Sequence, residues 1–535
     1  MSAIFDPPYP IPYNPINGTV EAFEGTIRPV YNVLDYGADP SGQKDSTAAI
    51  QAALDAAGSL GGGTVFGSGQ FKCTIISPAK TATQGGGYVL SIPSNTRLLL
   101  APGSTMVGPE LPSGASGGYS FLVNSDINNG NSNVVVDGGT YNLVAPTTNA
   151  TGMVAWWNLA AFMGCIHSWV SSRTVINNGG VAFYPISSEL NQPTALTAGH
   201  NYDNRISATF YNVTGSCTFF QGVDSAFDGY INGCWDDAFL VGSAGLGIRV
   251  AGTIIGVPAS SGLGGTSGTV YVANDGAVGA GASYMSGIMI CPRRVIGGGG
   301  NFNSGLQAVV CLDGAMENII IDTNASNGKI GLFAVNATVQ NGKIRGNYYS
   351  NVAQGINFTI NAGTHSQEWD IDAYVWGNGT GGATSGMYVY TEGGNIISGH
   401  VVLRGIAGAG GNQTSDIEAV QDVGGYIEMV FEDGDWPNGA STAGSGFGSS
   451  ILRNNKGYNP VGPVTVAVPA SGTATAALPY DATFYITQAT AASSVAVQGQ
   501  TIAIPIGGPT AIRVPAGQTL TPTYTTAPTW VVMGD

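Results

Sequence analysis

The stretch from Tyr31 to Phe71 constrains the fold more than any other part of the sequence. A short apolar strand at 31–34 runs into a turn rich in glycine, aspartate and proline, and a helix is predicted from Ser46 to Ala57. Asp45 or Ser46 is placed to cap its first amides. Its apolar residues fall on one stripe: Ala49, Ile50, Ala53, Leu54 and Ala57. A lone amphipathic helix ahead of a β-rich chain needs an apolar surface to cover, such as the open end of a stack of strands.

The composition favours many short strands joined by turns. Only 9% of the 535 residues are charged, 82 are glycine, and 43% are apolar. This is not the combination of low hydrophobicity and high charge that marks a disordered chain. A solenoid, in which successive coils hide most of each other's surface, agrees with it.

The net charge of −16, with only 17 lysines and arginines, excludes some classes of partner. Nucleic acid and anionic lipid surfaces need basic patches. A neutral or partly acidic glycan is easier to reconcile with this balance, although solubility alone would also explain the charge. We therefore expect no nucleic-acid partner.

The cysteines and the termini favour a protein that folds in a reducing compartment. The six cysteines show no CxxC spacing and no histidine at ligand spacing, so buried reduced thiols are expected, with no metal and no cofactor. The first residues lack the basic and apolar regions of a signal peptide. The sequence contains no run of 18 apolar residues, so no membrane insertion is predicted. We expect synthesis in the cytoplasm and exit by a route such as lysis.

The sequence divides into three segments that differ in composition and in the periodicity of their apolar residues. Residues 1–30 are rich in proline and are predicted to form an extended arm that needs a partner. Residues 31–450 are the second segment, and from about 110 they carry short β-branched runs flanked by asparagine or glycine. The last five runs have central residues spaced by 24, 27, 31 and 25: Ile320, Ile344, Ile371, Val402 and Ile427. Such spacing predicts one solenoid turn per repeat, in a parallel β-helix, with a large β-sandwich as the competing interpretation.

Residues 451–535 form the third segment. Strict alternation and Pro/Gly turns predict six to eight short strands, in a small separate β-sandwich. Charges almost vanish here, which suggests packing against copies of the same chain or against a ligand. The predicted fold class is therefore all-β: a right-handed parallel β-helix with a short N-terminal capping α-helix and a small C-terminal β-sandwich.

The opening stretch resembles the start of the pectate-lyase-like right-handed β-helix superfamily. The motif stands as Val33, Asp35-Tyr36-Gly37-Ala38, Asp45-Ser46-Thr47, Ala49-Ile50-Gln51-Ala52-Ala53-Leu54, Gly62-Gly63-Thr64-Val65-Phe66 and Gly69-Gln70-Phe71. It departs from the pattern in the turn Asp39-Pro40-Ser41-Gly42 and at Ser46. Similar proteins include pectin-degrading enzymes, epimerases and bacteriophage tailspikes. The C-terminal segment also looks like a domain found at the end of phage tail proteins.

The resemblance to tailspikes implies a homotrimer, held on the virion by its N-terminal arm through phage tail or baseplate proteins. It implies binding to a host cell-surface polysaccharide, outside the cell in which the protein is made. Cleavage of that polysaccharide by a hydrolase or a lyase is one version of this function, and adhesion alone is the other. A non-viral extracellular polysaccharide lyase or hydrolase is a third interpretation.

The best cluster of carboxylates for catalysis lies between residues 224 and 237. Glycoside hydrolysis needs two carboxylates, and Asp224, Asp236 and Asp237 would supply acid and base if they lie on adjacent rungs. Trp235 would stack a sugar ring. The alternative is that these aspartates stabilise corners by binding backbone amides.

Two further sets are candidates for substrate binding. Alternation places Glu368, Asp370 and Asp372 on one face of a strand, where they line a glycan groove or merely a solvated face. Arg293 and Arg294 form an adjacent basic pair that would clamp an acidic sugar. The resemblance transfers no catalytic residues, because the superfamily supplies no invariant catalytic motif.

Overall fold

The computed structural model of the chain describes residues 21–23, 26–80, 86–149, 152–185, 201–214, 217–234, 238–242, 245–255, 270–273, 285–296, 308–360, 365–379, 385–406, 413–444, 446–456, 462–478, 480–488, 490–491 and 493–534. The chain divides into two compact units, Met1–Gln307 and Ala308–Asp535. Both are built from β-strands, and the described residues include one α-helix.

The first unit contains a 3-10 helix (Val33–Tyr36), the helix α1 (Thr47–Ser59) and the strands β1 (Glu21–Phe23), β2 (Thr26–Arg28), β3 (Val30–Asn32), β4 (Ser41–Asp45), β5 (Gly63–Gly67), β6 (Gln70–Lys72), β7 (Gly87–Ile92), β8 (Thr96–Leu100), β9 (Thr105–Val107), β10 (Gly117–Asn124), β11 (Val135–Asp137), β12 (Thr140–Asn142), β13 (Thr147–Asn149), β14 (Gly152–Met163), β15 (Trp169–Val170), β16 (Val175–Asn177), β17 (Val181–Tyr184), β18 (Asn201–Tyr202), β19 (Arg205–Ile206), β20 (Thr209–Val213), β21 (Cys217–Phe219), β22 (Gly222–Val223), β23 (Ala226–Cys234), β24 (Phe239–Val241), β25 (Arg249–Ile255), β26 (Val270–Ala273), β27 (Met289–Ile290) and β28 (Arg294–Ile296).

Helix α1 covers the first strands of the coil, as the sequence predicts. Its stripe Ile50, Ala53, Leu54 and Ala57 is fully buried against β3, β5 and β7, whereas Ala49 is half-buried. Ser46 stands at the N-cap without a side-chain capping bond. The carboxylate of Asp45, the other predicted cap, accepts hydrogen bonds from the hydroxyl of Thr47 (2.6 Å) and from its amide (3.3 Å).

The strand predicted at 31–34 is wrong in its second half. Strand β3 ends at Asn32, whose side chain accepts a hydrogen bond from the amide of Leu34 (3.1 Å) and so starts the 3-10 helix. Gly37, with φ of 93°, ends that helix in a left-handed conformation that a residue without a Cβ adopts easily. The apolar pair Val33 and Leu34 therefore matches the pattern of a strand but lies in the 3-10 helix.

Successive coils of the first unit stack as a right-handed parallel β-helix with three faces. The first face runs through β3, β5, β8, β11, β15 and β19, the second through β4, β6, β9, β12, β16 and β20, and the third through β7, β10, β14, β17, β21 and β24. All these pairs are parallel. The antiparallel pair β1–β2 precedes them. The extended arm predicted at 1–30 lies mostly outside the described residues.

Corners between the faces use left-handed backbone. Asn95, Asn133, His167, Asp203 and Asp224 all have φ between 46° and 56° at equivalent corners of successive coils. Asparagine and aspartate tolerate this conformation because their side chains bond locally. The side chain of Asn133 donates to that of Asn95 (2.8 Å). Asparagine and aspartate therefore supply left-handed corners between the faces of the coil.

The described thiols of the first unit include three that are fully buried. Burial raises the pKa of Cys73, Cys165 and Cys217 to about 12, so each stays protonated near neutral pH. A protonated thiol in the core packs as a small apolar group.

The second unit contains a parallel coil of its own and ends in two antiparallel sheets. Its strands are β29 (Ala308–Ser326), β30 (Ile330–Tyr349), β31 (Ile356–Ile360), β32 (His365–Trp376), β33 (Ser385–Thr391), β34 (Ile396–Gly405), β35 (Ser415–Gln421), β36 (Tyr426–Glu432), β37 (Ala440–Gly444), β38 (Ile451–Arg453), β39 (Gly462–Val464), β40 (Ala482–Gln488), β41 (Ser493–Val497), β42 (Gln500–Ile504), β43 (Gly507–Val514), β44 (Leu520–Thr523) and β45 (Thr529–Gly534).

The central residues of the predicted repeat are partly out of register. Ile344 pairs with Ile371 as expected. The fully buried stack is Ile321, Ile344, Ile371, Val401 and Phe431. Ile320 and Val402 lie one position away and face outward, while Ile427 pairs with Ile397. Spacing alone does not fix the register, because a shift of one residue moves a side chain to the opposite face.

The C-terminal sheets confirm the predicted sandwich. One has the order β39-β45-β40-β43 and the other β42-β41-β44. Their inner faces share one apolar cluster that includes Phe484, Ile486, Val495 and Leu520. Seven short strands within 462–534 agree with the predicted six to eight.

The buried stack yields a matched test of the register. Ile321→Ala should lower the free energy of unfolding by about 2–5 kcal/mol, because it opens a cavity in the core. Ile320→Ala, one residue away and facing outward, should change it by about 0.5 kcal/mol or less. Chemical denaturation of both variants beside the unsubstituted protein measures the difference. Equal losses would contradict the register.

Candidate functional site

Of the predicted catalytic set, the structure describes Asp224. This residue is exposed at the corner between β22 and β23, in a left-handed conformation with φ of 48°. The charge of Asp224 and the hydrogen bond that its carboxylate receives from Tyr202 raise the pKa of that tyrosine. Asp236, Asp237 and Trp235 lie outside the described residues. Their joint role with Asp224 stays a prediction.

Asp224 belongs to a stack of polar corner residues. His167 and Asp203 occupy the same corner in the two preceding coils, and the imidazole Nδ1 of His167 lies 2.8 Å from a carboxylate oxygen of Asp203. The amide of Asp224 donates to the carbonyl of Leu246 (2.8 Å) and so joins its coil to the next. Asp224 therefore occupies a corner, which is where the alternative interpretation from sequence places these aspartates.

The basic pair lies elsewhere on the first unit. Arg293 and Arg294 are exposed at the start of β28. Arg294 is in register, through Thr253, with Tyr230, which follows Asp224 by six positions along the chain. The structure therefore places the pair and Asp224 at different points of the coil. A clamp formed by the pair on an acidic sugar remains a prediction.

The second unit brings charged side chains from four strands onto one surface. Within β32, Asp370 and Asp372 face outward while Trp369 and Ile371 are buried, which is the predicted alternation. Neighbouring strands place further charged groups beside them. We call this surface the charged face: Lys343, Arg345, Asp370, Asp372, His400, Arg404 and Glu432.

Hydrogen bonds connect the charged face across its strands. The guanidinium of Arg345 donates to Asp370 (2.7 Å), and that of Arg404 donates to Asp372. The imidazole of His400 lies between two carboxylates, with Nε2 3.1 Å from Oε1 of Glu432 and Nδ1 3.9 Å from Oδ1 of Asp370. The side chains of Asp370, Asp372 and His400 are 41%, 44% and 41% exposed. These groups are therefore held in place and still open to solvent.

Charge pairing sets the protonation of the central aspartate. The hydrogen bond from Arg345 is the main reason that the pKa of Asp370 lies below its ordinary value. Asp370 is consequently ionised at neutral pH. It can accept hydrogen bonds or a proton, but it is not held protonated as a general acid would be.

Glu368 is separated from this network by a corner. Its φ is 59°, it is exposed, and its amide donates to the hydroxyl of Ser398 (3.4 Å). In the two preceding coils the equivalent residues are Asn318 and Asn341, whose side chains are hydrogen-bonded to each other (2.6 Å). Of the three predicted residues of this strand, Asp370 and Asp372 join the charged face, and Glu368 serves a corner.

Aromatic rings border the charged face at its far end. Tyr349 and Trp376 stack with centroids 4.6 Å apart and planes 3° from parallel. Tyr374 is 42% exposed, and the guanidinium of Arg404 lies 5.3 Å from its ring centroid. Rings of this kind offer an apolar face beside polar groups, which suits a ligand with both characters.

Sequence reasoning missed Arg345, His400 and Arg404 as members of the site. They lie on other coils than the aspartates that they contact. A usable signal exists, because Arg345 precedes Asp372 by the same 27 residues that separate Ile344 from Ile371. Applying the core spacing to the neighbouring outward positions would have placed Arg345 in register with Asp372 and so beside both aspartates.

The charged face lies on a stack of parallel coils and is not a closed cavity. Within the described ranges, no group of three or more His, Cys, Asp or Glu side chains is placed to hold a metal ion. No helix among the described residues is long and apolar enough to cross a membrane. The site is thus an open surface of ion-paired groups and aromatic rings on a right-handed parallel β-helix.

Comparison with solved structures finds proteins of similar fold. A double mutant of the tailspike protein of E. coli bacteriophage HK620, in complex with a pentasaccharide, is 14% identical with a TM-score of 0.49, over 94% of this chain and 92% of that one. The A-module of mannuronan C-5 epimerase AlgE4 of Azotobacter vinelandii is 15% identical with a TM-score of 0.35, over 80% and 98%. The surface protein and adhesin PfbA of Streptococcus pneumoniae is 11% identical with a TM-score of 0.39, over 77% and 99%.

The expected resemblance to right-handed β-helix proteins, tailspikes among them, is therefore found, and it is a resemblance of fold. No protein-family model matches the chain. No curated protein matches it either.

Arg345→Ala should raise the pKa of Asp370 toward its ordinary value of 3.8, because it removes the largest cause of the lowered value. A carboxyl whose pKa is lowered by folding stabilises the fold above its unfolded pKa, and this contribution is lost as the pH falls through the folded value. The variant should therefore lose less stability in acid. Titration of ¹³C-carboxyl-labelled aspartate, assigned with Asp370→Asn, measures the pKa. Arg404→Ala, which removes the partner of Asp372, is the matched control, and an unchanged pKa in Arg345→Ala would contradict the assignment.

Proposed function

We propose that this protein binds a polysaccharide through the charged face of its second unit. The observation that carries the proposal is the connected network of Arg345, Asp370, His400 and Glu432, with Arg404 and Asp372 beside it. Exposed ion pairs add only about 0–1 kcal/mol each to stability. Such a network is better explained by the donors and acceptors that it holds in fixed positions.

Sugars match this surface chemically. Their hydroxyl groups can donate to the carboxylates of Asp370 and Asp372 and accept from the guanidiniums of Arg345 and Arg404. Their apolar ring faces can pack on the exposed ring of Tyr374. The charged face carries both arginines and carboxylates, which pair with one another. A ligand of either charge therefore meets a group of opposite charge.

The finer form of the proposal is a bacteriophage tailspike that attaches to a host surface polysaccharide. In it, residues 1–30 are the arm that binds tail or baseplate proteins, residues 31–450 are the glycan-binding coil, and residues 451–535 form a tip that trimerises or contacts the receptor. One observation supports self-association. Asp481 and Arg513 are the charged residues of 462–534, and they pair with each other (2.8 Å). Tyr485 and Val531 are 41% and 59% exposed, so this segment presents apolar side chains at its surface.

Affinity electrophoresis in gels containing purified host capsule or lipopolysaccharide tests the binding. The double variant Asp370→Asn/Asp372→Asn should bind at least about tenfold more weakly, because it removes two carboxylates together with their pairing to Arg345 and Arg404. Asp422→Asn, which replaces an exposed aspartate at a different corner, is the matched control. Equal retardation of the double variant and the unsubstituted protein would refute the site.

Cleavage of the bound polysaccharide is a second candidate function. Asp370 and Asp372 project from one face of the same strand, two positions apart, and Asp370, which Arg345 keeps ionised, would be the base of such a pair. Inverting glycosidases separate their carboxyl groups by about 6.5–9.5 Å. The set Asp224, Asp236 and Asp237, predicted from sequence, is another group of carboxylates that would supply acid and base.

Incubation with the same polysaccharide, followed by assays for reducing ends and unsaturated uronates, separates an enzyme from an adhesin. If the predicted set is catalytic, Asp236→Asn should reduce product formation by at least about a hundredfold, the usual contribution of a general acid or base. Asp370→Asn run in parallel assigns the reaction to one carboxylate set. Unchanged cleavage by Asp236→Asn would remove that residue from the mechanism, and the absence of product from the bound glycan would leave adhesion.

A further inference from the structure

The second face of the first unit presents a surface of a different character. On β9, β12, β16, β20, β23 and β25, the outward residues form two in-register rows. We call this surface the neutral face: Thr105, Thr140, Val175, Thr209, Tyr230 and Thr253 in one row, and Val107, Asn142, Asn177, Tyr211, Asn232 and Ile255 in the other. None of these twelve side chains is charged, and the strands that flank them in register carry Lys72 on β6 and Arg294 on β28, so the neutral face ends at a basic residue on either side.

The neutral face is rigidly supported from behind. Between the two rows, the residues of the same strands point into the coil and are fully buried: Met106, Tyr141, Ile176, Phe210, Ile231 and Ile254. Because the strands are parallel and in register, the outward groups repeat at the strand spacing of about 4.8 Å. The rows are therefore a ladder of hydroxyl, amide and aromatic groups along the coil axis.

Polar groups of this ladder remain accessible. The amide of Asn177 donates to that of Asn142 (2.6 Å), which orders the two side chains along the row. Tyr211 is 40% exposed and meets Tyr230 edge to face, with ring centroids 6.4 Å apart. Threonine hydroxyls both donate and accept, so each rung offers hydrogen bonds in either direction.

We propose that the neutral face binds an uncharged polysaccharide strand that lies along the coil axis, with about one sugar per rung. A pyranose ring is about as long as the spacing between rungs, so successive sugars can meet equivalent groups. Uncharged hydroxyls and amides match a ligand without charge, and the two tyrosines supply a surface for apolar ring faces. The inference takes its ligand class from the proposed function and adds a second surface and a glycan chemistry.

A second copy of the chain is the other occupant to consider. The core of a stable protein interface is enriched in aromatic and apolar residues. Burying the threonine hydroxyls and asparagine amides of this face would cost free energy wherever a partner group was missing. A hydrated sugar chain carries its own hydroxyl partners, which favours the glycan as occupant.

The two surfaces are expected to differ in their response to salt. Binding at the charged face depends on ionised groups, whereas binding at the neutral face does not. In about 1 M sodium chloride the Debye length falls to about 3 Å, so interactions between exposed charges are screened. Binding through the neutral face should persist there.

An array of uncharged glycans, printed beside uronate- and sialate-containing glycans, tests the proposal in about 1 M sodium chloride. The full chain should bind at least one uncharged glycan, and Tyr211→Ala/Tyr230→Ala should weaken that signal at least about tenfold. Asn142→Asp, which adds one charge at nearly constant size, should weaken it as well. Tyr485→Ala, at an equally exposed tyrosine of the C-terminal sheets, is the matched control and should bind normally.

The outcomes separate this proposal from the proposed function. Signals that survive Asp370→Asn/Asp372→Asn but are lost in the tyrosine variant support a neutral-face site, whatever the fate of the charged face. No uncharged glycan bound, or equal binding by the tyrosine variant, would overturn the proposal. Light scattering on Tyr211→Arg is a further check. A fall in oligomer mass would show that a second copy of the chain occupies the neutral face, and it would overturn the proposal of a glycan there.

Discussion

The structure depends on one interaction, the in-register stacking of inward apolar side chains between successive parallel strands. In the second unit this stack runs through Ile321, Ile344, Ile371, Val401 and Phe431, all fully buried. Side chains on a strand alternate between its faces, so fixing the inward residues fixes the outward ones as well. Asp370 and Asp372 meet Arg345, Arg404 and His400 because their buried neighbours are aligned. In the first unit, the buried row from Met106 to Ile254 aligns the threonines and asparagines of the neutral face in the same way.

Most of the fold could be predicted from sequence, because its determinants are local. The capping helix follows from a periodic apolar stripe, the coil from repeated β-branched runs, and the sandwich from strict alternation after residue 450. The register could not be predicted in the same way. Coil lengths vary, and a count of residues between apolar runs leaves Ile320 and Val402 one position, and Ile427 four positions, from the buried stack, which is too coarse to assign a face. Val33 and Leu34 were misassigned for a related reason: an apolar pair fits both a strand and a turn until the cap at Asn32 is known.

The site was only partly predictable. Asp370 and Asp372 were found because they alternate with buried apolar residues on their own strand. Their partners were missed because they come from coils about 25–32 residues away, and only the register brings them together. For Asp224, residue type allowed two interpretations, since aspartate serves both as a catalytic acid and as a residue that tolerates left-handed backbone at corners. The structure places it at a corner, where the same chemistry has a structural use.

Corners with left-handed asparagine, aspartate and glycine have a consequence for how such a chain can diversify. Successive members of the buried stack are separated by 23, 27, 30 and 30 residues, and yet their strands stay paired. Variation in length is therefore absorbed between the paired strands, which keep their register across coils of different length. Segments inserted there can change the walls around a binding surface without moving the strands that carry it. Ligand preference and structural integrity are thus encoded at separate positions of each repeat, and one can be altered while the other is kept.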